Sequence, residues 1–200
     1  MITHLVGLSL GANSSIESGV AVRELASGEL IYLDKLFSMS DVELFFENYP
    51  SLKNSIICVS IPWDNTMLEG KWRVHSKPYQ LIHTLGNFPN TDNWTQRFST
   101  RGCELFLNLK KENIDISRYE IYLTRQKLNL YSNFKERSSA DCKFLQSILK
   151  NEYGFNNMPA NMLPVAQLEA IIGTILAEEK AKNNVKEIFK FKNLSVINLS

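Results

Sequence analysis

The chain opens on an apolar stretch that ends in a glycine, His4-Leu5-Val6-Gly7-Leu8-Ser9-Leu10-Gly11. A polar turn at residues 12–15 follows, and a second apolar stretch then covers residues 18–25. Two such stretches joined by a turn that contains asparagine are typical of an antiparallel hairpin. A third stretch, residues 29–37, alternates roughly apolar and polar side chains, as half-buried strands do. The sequence therefore predicts an antiparallel meander at its start.

A helix and another strand are predicted directly after this meander. Ser40 or Ser38 can cap a helix over residues 41–49, whose first turn is acidic and which Pro50 ends. Residues 55–61 are almost continuously apolar, which is the pattern of a strand covered on both faces. The predicted order β-β-β-α-β indicates an α/β fold with a mixed sheet.

The remainder is predicted as an insertion, three helices, a strand and a closing hairpin. Residues 62–93 lack a regular period, so we expect an irregular insertion with its own short elements. At 200 residues, the chain is expected to form a single domain over 1–200. The predicted elements are helices over 95–111, 139–152 and 164–182, a strand over 118–124, and a C-terminal hairpin over 186–200.

The composition of the chain argues against several classes of protein. The 22 basic and 21 acidic residues give a net charge of +1, so net charge does not indicate nucleic acid or membrane as a partner. The three cysteines are far apart and form no Cys-x-x-Cys pair, which argues against structural zinc and a disulfide framework. The sequence has neither a signal-peptide pattern nor an apolar run of about 20 residues. We therefore expect a cytoplasmic protein with no membrane contact.

Five short motifs stand out along the chain: Gly7 to Gly11, Gly19-Val20-Ala21, Ser60-Ile61-Pro62, Arg101-Gly102-Cys103 and Glu169-Ala170. Together they resemble a family of predicted nucleases, a domain of unknown function with a ribonuclease H-like (RuvC-like) fold. The resemblance implies a mixed five-stranded sheet with the element order β-β-β-α-β-α-β-α. In active nucleases of this fold, carboxylates from the ends of strands one and four and from the last helix hold two divalent cations that hydrolyse a phosphodiester.

The chain departs from the family at two of the three acid positions. Ser9 and Ser60 stand at the two strand ends, and Glu169 on the last helix is the acid that remains. Mg²⁺ is held through anionic oxygens, and a serine hydroxyl replaces them poorly. We therefore predict a catalytically degraded nuclease that binds rather than cleaves, with any ligand near Ser9, Ser60, Asp64 and Glu169. No cofactor is expected for such a protein.

Two alternatives stay open from the sequence. The first is an active nuclease or phosphohydrolase in which Glu169 and Asp64 act as catalytic residues and hold Mg²⁺ or Mn²⁺, with Glu17 or Asp92 as further candidate acids. The second is a non-catalytic assembly protein that forms a homodimer. The insertion would provide the contact surface of this homodimer.

The insertion and its edges carry all three tryptophans, Trp63, Trp72 and Trp94. Aromatic side chains next to basic residues can form a surface for single-stranded nucleic acid. Aromatic residues in a long insertion more often pack the insertion onto its own domain or form a contact between two copies. Nucleic acid and a second copy of the chain are therefore both candidate partners.

Overall fold

The structure is a computed structural model that describes residues 1–11, 17–49, 52–60, 73–77, 80–84, 109, 111–135, 137–191 and 194–200. The strands are β1 (His4–Ser9), β2 (Ser18–Glu24), β3 (Leu30–Leu36), β4 (Ser55–Ser60), β5 (Arg73–Lys77), β6 (Gln80–Thr84), β7 (Asp115–Tyr119), β8 (Val185–Phe191) and β9 (Leu194–Leu199). The helices are α1 (Met39–Asn48), α2 (Ile121–Lys127), α3 (Ser139–Asn151) and α4 (Val165–Ala181), and a short 3₁₀ turn covers Leu52–Asn54. Within these ranges, no helix has the length and apolar character needed to span a membrane.

The main sheet has the strand order β3-β2-β1-β4-β7-β9-β8. Strand β2 runs antiparallel to β1 and β3, whereas β4, β7 and β9 run parallel to β1. The first three strands form the predicted meander, and β4 returns beside β1 after α1, as the apolar run at 55–61 predicts. This order and these directions, with α4 packed on the sheet, give the mixed α/β architecture that the sequence predicts.

The prediction of five strands is wrong, because the C-terminal hairpin extends the sheet. Strand β9 pairs in parallel with β7, through Arg118 opposite Val196 and Tyr119 opposite Ile197. Strand β8 then pairs with β9 in the antiparallel sense, which gives seven strands. The hairpin itself is confirmed. The alternation of its residues predicts strands but carries no information about which sheet edge they join.

The predicted strand over residues 118–124 is also wrong. The strand is β7, Asp115–Tyr119, and the next residues form α2. Glu120 decides this locally, because its carboxylate accepts a hydrogen bond of 2.9 Å from the N–H of Leu123 and caps the helix. The aromatic and β-branched residues after Glu120 have a strand-like composition, but here they pack as one face of a short helix.

Two other elements follow the sequence prediction closely. Ser38 caps α1: its hydroxyl accepts from the N–H of Asp41 at 3.1 Å, and the Asp41 carboxylate accepts from the N–H of Ser38 at 2.7 Å. Inside the insertion at 62–93, β5 and β6 form an antiparallel pair, so this segment has short elements of its own. The predicted helix over 95–111 lies almost entirely outside the described residues.

Helix α4 lies directly on the backbone of β1 and β2, and this close approach builds the candidate site. A Cβ on Gly7 would be only 1.8 Å from the carbonyl oxygen of Ala170, and a Cβ on Gly19 would be 2.0 Å from that of Ala166. Only glycine permits this distance between helix and strand. Residues 166–177 of α4 are all buried, so Glu169 is enclosed between the helix and the sheet.

Candidate functional site

The site begins at the carboxyl ends of β1 and β4, where Ser9 and Ser60 are direct neighbours in the parallel register. Neighbouring residues of parallel strands project to the same face of the sheet. Gly7, two residues before Ser9, faces α4, so Ser9 and Ser60 also belong to the face that α4 covers. The structure therefore brings the two serines together at one edge, beneath the last helix.

Glu169 reaches this edge from the first turns of α4. The hydroxyl of the buried Ser9 donates a hydrogen bond of 2.8 Å to Oε2 of Glu169, across a sequence separation of 160 residues. Glu169 itself is only 4% exposed. A buried hydrogen bond to a charged group contributes about 1.5–3 kcal/mol, which makes this contact a fixed part of the site.

A guanidinium also faces the carboxylate of Glu169. Nη2 of Arg137 lies 3.5 Å from the same Oε2 that Ser9 contacts, and the Arg137 side chain is 34% exposed. Arginine stays protonated in proteins, so this positive charge is permanent. Oε2 of Glu169 therefore has both a cationic side chain and a hydroxyl donor as neighbours.

Arg125 and Asp141 form a buried ion pair that contacts the backbone of Arg137. Each of the two side chains is about 1% exposed. Nη2 of Arg125 donates to Oδ1 of Asp141 at 2.8 Å, and Nη1 donates to Oδ2 at 3.2 Å. Ser132 donates to Oδ1 at 3.0 Å, and the backbone N–H of Arg137 donates to Oδ2 at 2.9 Å. Burial alone would raise the pKa of Asp141, but these hydrogen bonds, led by those from Arg125, outweigh burial and lower it.

Two further polar side chains lie close to the enclosed glutamate. The hydroxyl of Tyr119 donates to the backbone carbonyl of Glu169 at 2.7 Å, and burial, followed by the charge of Glu169, raises the pKa of Tyr119 well above its ordinary value. Burial, followed by the charges of Asp141 and Glu169, also raises the pKa of the Cys142 thiol. Both groups therefore stay protonated at neutral pH, and neither is an activated nucleophile.

The described part of this edge does not match the ligand set of a hard divalent cation. Among the described residues, no cluster of three or more histidines, cysteines, aspartates or glutamates could hold a metal ion. Mg²⁺ and Mn²⁺ are bound mainly by carboxylate oxygens, whereas Ser9 offers a hydroxyl that donates to Glu169. A permanent cation 3.5 Å from that carboxylate would repel a divalent ion at the same position.

Of the other candidate acids from the sequence, Glu17 lies within the described residues. The carboxylate of Glu17 lies 3.8 Å from the ammonium group of Lys35. Asp64 and Asp92 lie outside the described residues, as do Trp63, Trp72 and Trp94. The roles proposed for these residues, the homodimer and the cytoplasmic location stay predictions of the sequence.

Three residues of the site were not found from the sequence: Arg137, Asp141 and Arg125. Arg137 precedes the capping residue Ser138 of α3, a position where arginine has no particular meaning. Asp141 reads as an ordinary acid in the first turn of a helix, where it complements the helix dipole. A contact between Arg137 and Glu169, 32 positions apart, leaves no periodic pattern in the sequence.

Comparisons with known proteins assign no family to the chain. No family model matches it. No curated protein matches it either. Among solved structures, the chain is similar to T. thermophilus RuvC in complex with Holliday junction substrate, at 9% sequence identity and a TM-score of 0.47. The match covers 90% of this chain and 96% of the RuvC chain.

Proposed function

We propose that the chain binds the phosphate backbone of nucleic acid at the carboxyl edge of β1 and β4 and does not cleave it. One observation carries this proposal. The carboxylate of Glu169, which would ligate a metal in an active nuclease of this fold, is already bonded by Ser9 at 2.8 Å and faced by Arg137 at 3.5 Å.

The same contacts argue against hydrolysis by two metal ions. That mechanism needs several carboxylates to hold the two cations on either side of the reacting phosphate. At this edge, Ser9 and Ser60 provide hydroxyls in register with each other, and Glu169 provides one carboxylate. The described residues thus supply too few negative oxygens for the two ions.

The edge nevertheless suits an anionic ligand. Arg137 is one-third exposed and carries a permanent positive charge. Ser60, in register with Ser9 at the end of β4, is partly exposed. Arginine guanidinium groups and serine hydroxyls are common partners of phosphate oxygens in complexes with nucleic acids. The resemblance to predicted nucleases supplies nucleic acid as the source of that phosphate.

A combined binding and cleavage assay tests the proposal. Fluorescently labelled single-stranded, double-stranded and four-way-junction oligonucleotides are titrated with the protein in EDTA, and separately in Mg²⁺ or Mn²⁺. We expect salt-dependent binding in EDTA and no cleavage under either condition, because the charge at the site comes from Arg137 rather than from a metal.

Glu169→Gln serves as the diagnostic variant in this assay. In a binding protein it removes a negative charge near the phosphate, so affinity should stay the same or rise. If the wild-type chain cleaves with Mn²⁺ and Glu169→Gln abolishes that cleavage, the alternative of an active nuclease that uses Glu169 is correct and the proposed function is wrong. If no oligonucleotide binds in EDTA, the proposed function is wrong.

A further inference from the structure

The buried ion pair between Arg125 and Asp141 needs an explanation beyond stability. Burying two charges costs about as much as their attraction returns, so such a pair is weak evidence for a stabilising role. Here the pair is buried, and Arg125 has a second hydrogen-bond acceptor besides Asp141. Its Nε and Nη2 donate to the carbonyl of Leu130, each at 3.1 Å. A rigid, fully satisfied charged pair is suited to fix the position of a third group.

The third group is the backbone of Arg137. Its N–H donates to Oδ2 of Asp141 at 2.9 Å, and its φ angle is +60°. A residue other than glycine adopts this left-handed conformation at a cost of order 1 kcal/mol or more, and keeps it only where surrounding contacts enforce it. Asp141 provides such a contact, because it binds the constrained residue directly.

The side chain of Arg137 extends from this constrained backbone. From this position, Nη2 lies 3.5 Å from Glu169, and a third of the side chain remains open to solvent. A guanidinium has five N–H donors, so the contact with one carboxylate oxygen leaves donors for a further acceptor. A phosphate oxygen approaching from solvent matches those donors in charge and geometry.

We propose that Arg137 contacts a backbone phosphate of the bound nucleic acid, and that the buried pair of Asp141 and Arg125 positions Arg137 for this contact. The inference rests on the proposed function for its ligand. Its second half, the positioning of Arg137, depends only on contacts within the chain. Asp141 and Arg125 are positioning residues that do not themselves touch the ligand.

A double-mutant cycle in the oligonucleotide assay tests both the phosphate contact of Arg137 and its positioning by Asp141. Arg137→Gln should weaken binding about tenfold and reduce the slope of log affinity against log salt by about 0.7–0.9, the value for one lost phosphate contact. Asp141→Asn should also weaken binding in the wild-type background, but it should have no further effect when combined with Arg137→Gln. Additive effects of the two substitutions would show that Asp141 does not act through Arg137.

Arg23→Gln is the matched control. It also removes a guanidinium that is paired with a glutamate of α4, Glu178, but near the opposite end of the sheet. Affinity and salt slope should therefore match the wild type. An equal loss in Arg23→Gln, or an unchanged slope in Arg137→Gln, would overturn the phosphate contact. Displacement of the oligonucleotide by millimolar inorganic phosphate would identify free phosphate, and not the nucleic-acid chain, as the ligand.

A measurement without ligand tests the positioning of Arg137 separately from the phosphate contact. It remains possible if Asp141→Asn does not fold. The double variant Arg125→Met, Asp141→Leu replaces the pair with apolar side chains, an exchange that is often tolerated. The NMR order parameter of the backbone N–H of Arg137, which donates to Asp141, should fall from about 0.85 to below about 0.6 in this variant. An unchanged order parameter overturns the positioning role, whether or not the wild-type chain binds nucleic acid.

Discussion

Replacement of Gly7 by alanine is expected to lower the free energy of unfolding by about 3 kcal/mol or more. The new Cβ would lie 1.8 Å from the backbone oxygen of Ala170 and 2.8 Å from the backbone nitrogen of Thr174. The backbone atoms of a buried helix cannot relieve a clash by changing a side-chain rotamer. Helix α4 as a whole must therefore move away from β1. Overpacking of this kind costs about 1–3 kcal/mol where side chains can adjust, and more where they cannot.

Thermal unfolding followed by circular dichroism measures the effect. For a domain of this size, about 3 kcal/mol corresponds to a fall in Tm of roughly 6–12 °C. Gly154→Ala is the matched control: no atom lies within 4 Å of its added Cβ, so only its φ of +75° opposes the change, at about 1–2 kcal/mol. Equal losses in the two variants would show that α4 does not approach β1 as closely as described.

Replacement of Asp141 by alanine is expected to lower the free energy of unfolding by about 3–5 kcal/mol. The substitution leaves the guanidinium of Arg125 buried without its partner, which is the most damaging way to break a buried ion pair. It also removes the acceptor for the N–H of Arg137. Urea denaturation gives the free energy of unfolding of both proteins directly.

Asp115→Ala is the control for this prediction. It removes the partner of Lys180 in an ion pair whose aspartate is 45% exposed, and pairs of that kind contribute about 0–1 kcal/mol. A similar loss in both variants would contradict the assignment of Asp141 as an enclosed, fully bonded charge.

The acid sensitivity of the fold depends on the same carboxylate. Because the pKa of Asp141 is lower in the folded chain than in the unfolded chain, its ionised form stabilises the fold. That contribution is complete above the ordinary aspartate pKa of about 3.9 and is lost as pH falls through the folded value. Asp141→Ala should therefore show a shallower loss of stability than the wild-type chain as the pH falls below about 4.

Periodicity in the sequence predicts the elements whose patterns are local. The meander, β4, the capped helices α1 and α3, and the apolar helix α4 are confirmed within a few residues. The two wrong predictions concern the pairing of strands that are distant in sequence and the choice between strand and helix in one short segment. Nothing within the closing hairpin specifies that β9 pairs with β7, and the cap from Glu120 outweighs a strand-like composition in α2.

The sequence indicates the candidate site only in part, because contacts between distant segments leave no local pattern. The resemblance to nucleases points to Ser9, Ser60 and Glu169, because these positions follow from the order of elements. The approach that joins Ser9 to Glu169 depends on Gly7, which reads in the sequence as a strand or turn glycine. Arg137 enters through a contact between distant segments, and such contacts are visible only once the chain is folded.

We propose that the guanidinium of Arg137 takes the place of a metal ion at the strand edge, and calorimetric titration of the chain with Mn²⁺ tests this proposal. The wild-type chain should show no saturable binding into the millimolar range. The triple variant Ser9→Asp, Ser60→Asp, Arg137→Gln, which restores two acids and removes the competing cation, should bind Mn²⁺. Saturable binding of Mn²⁺ by the wild-type chain, abolished by Glu169→Gln, would contradict the claim.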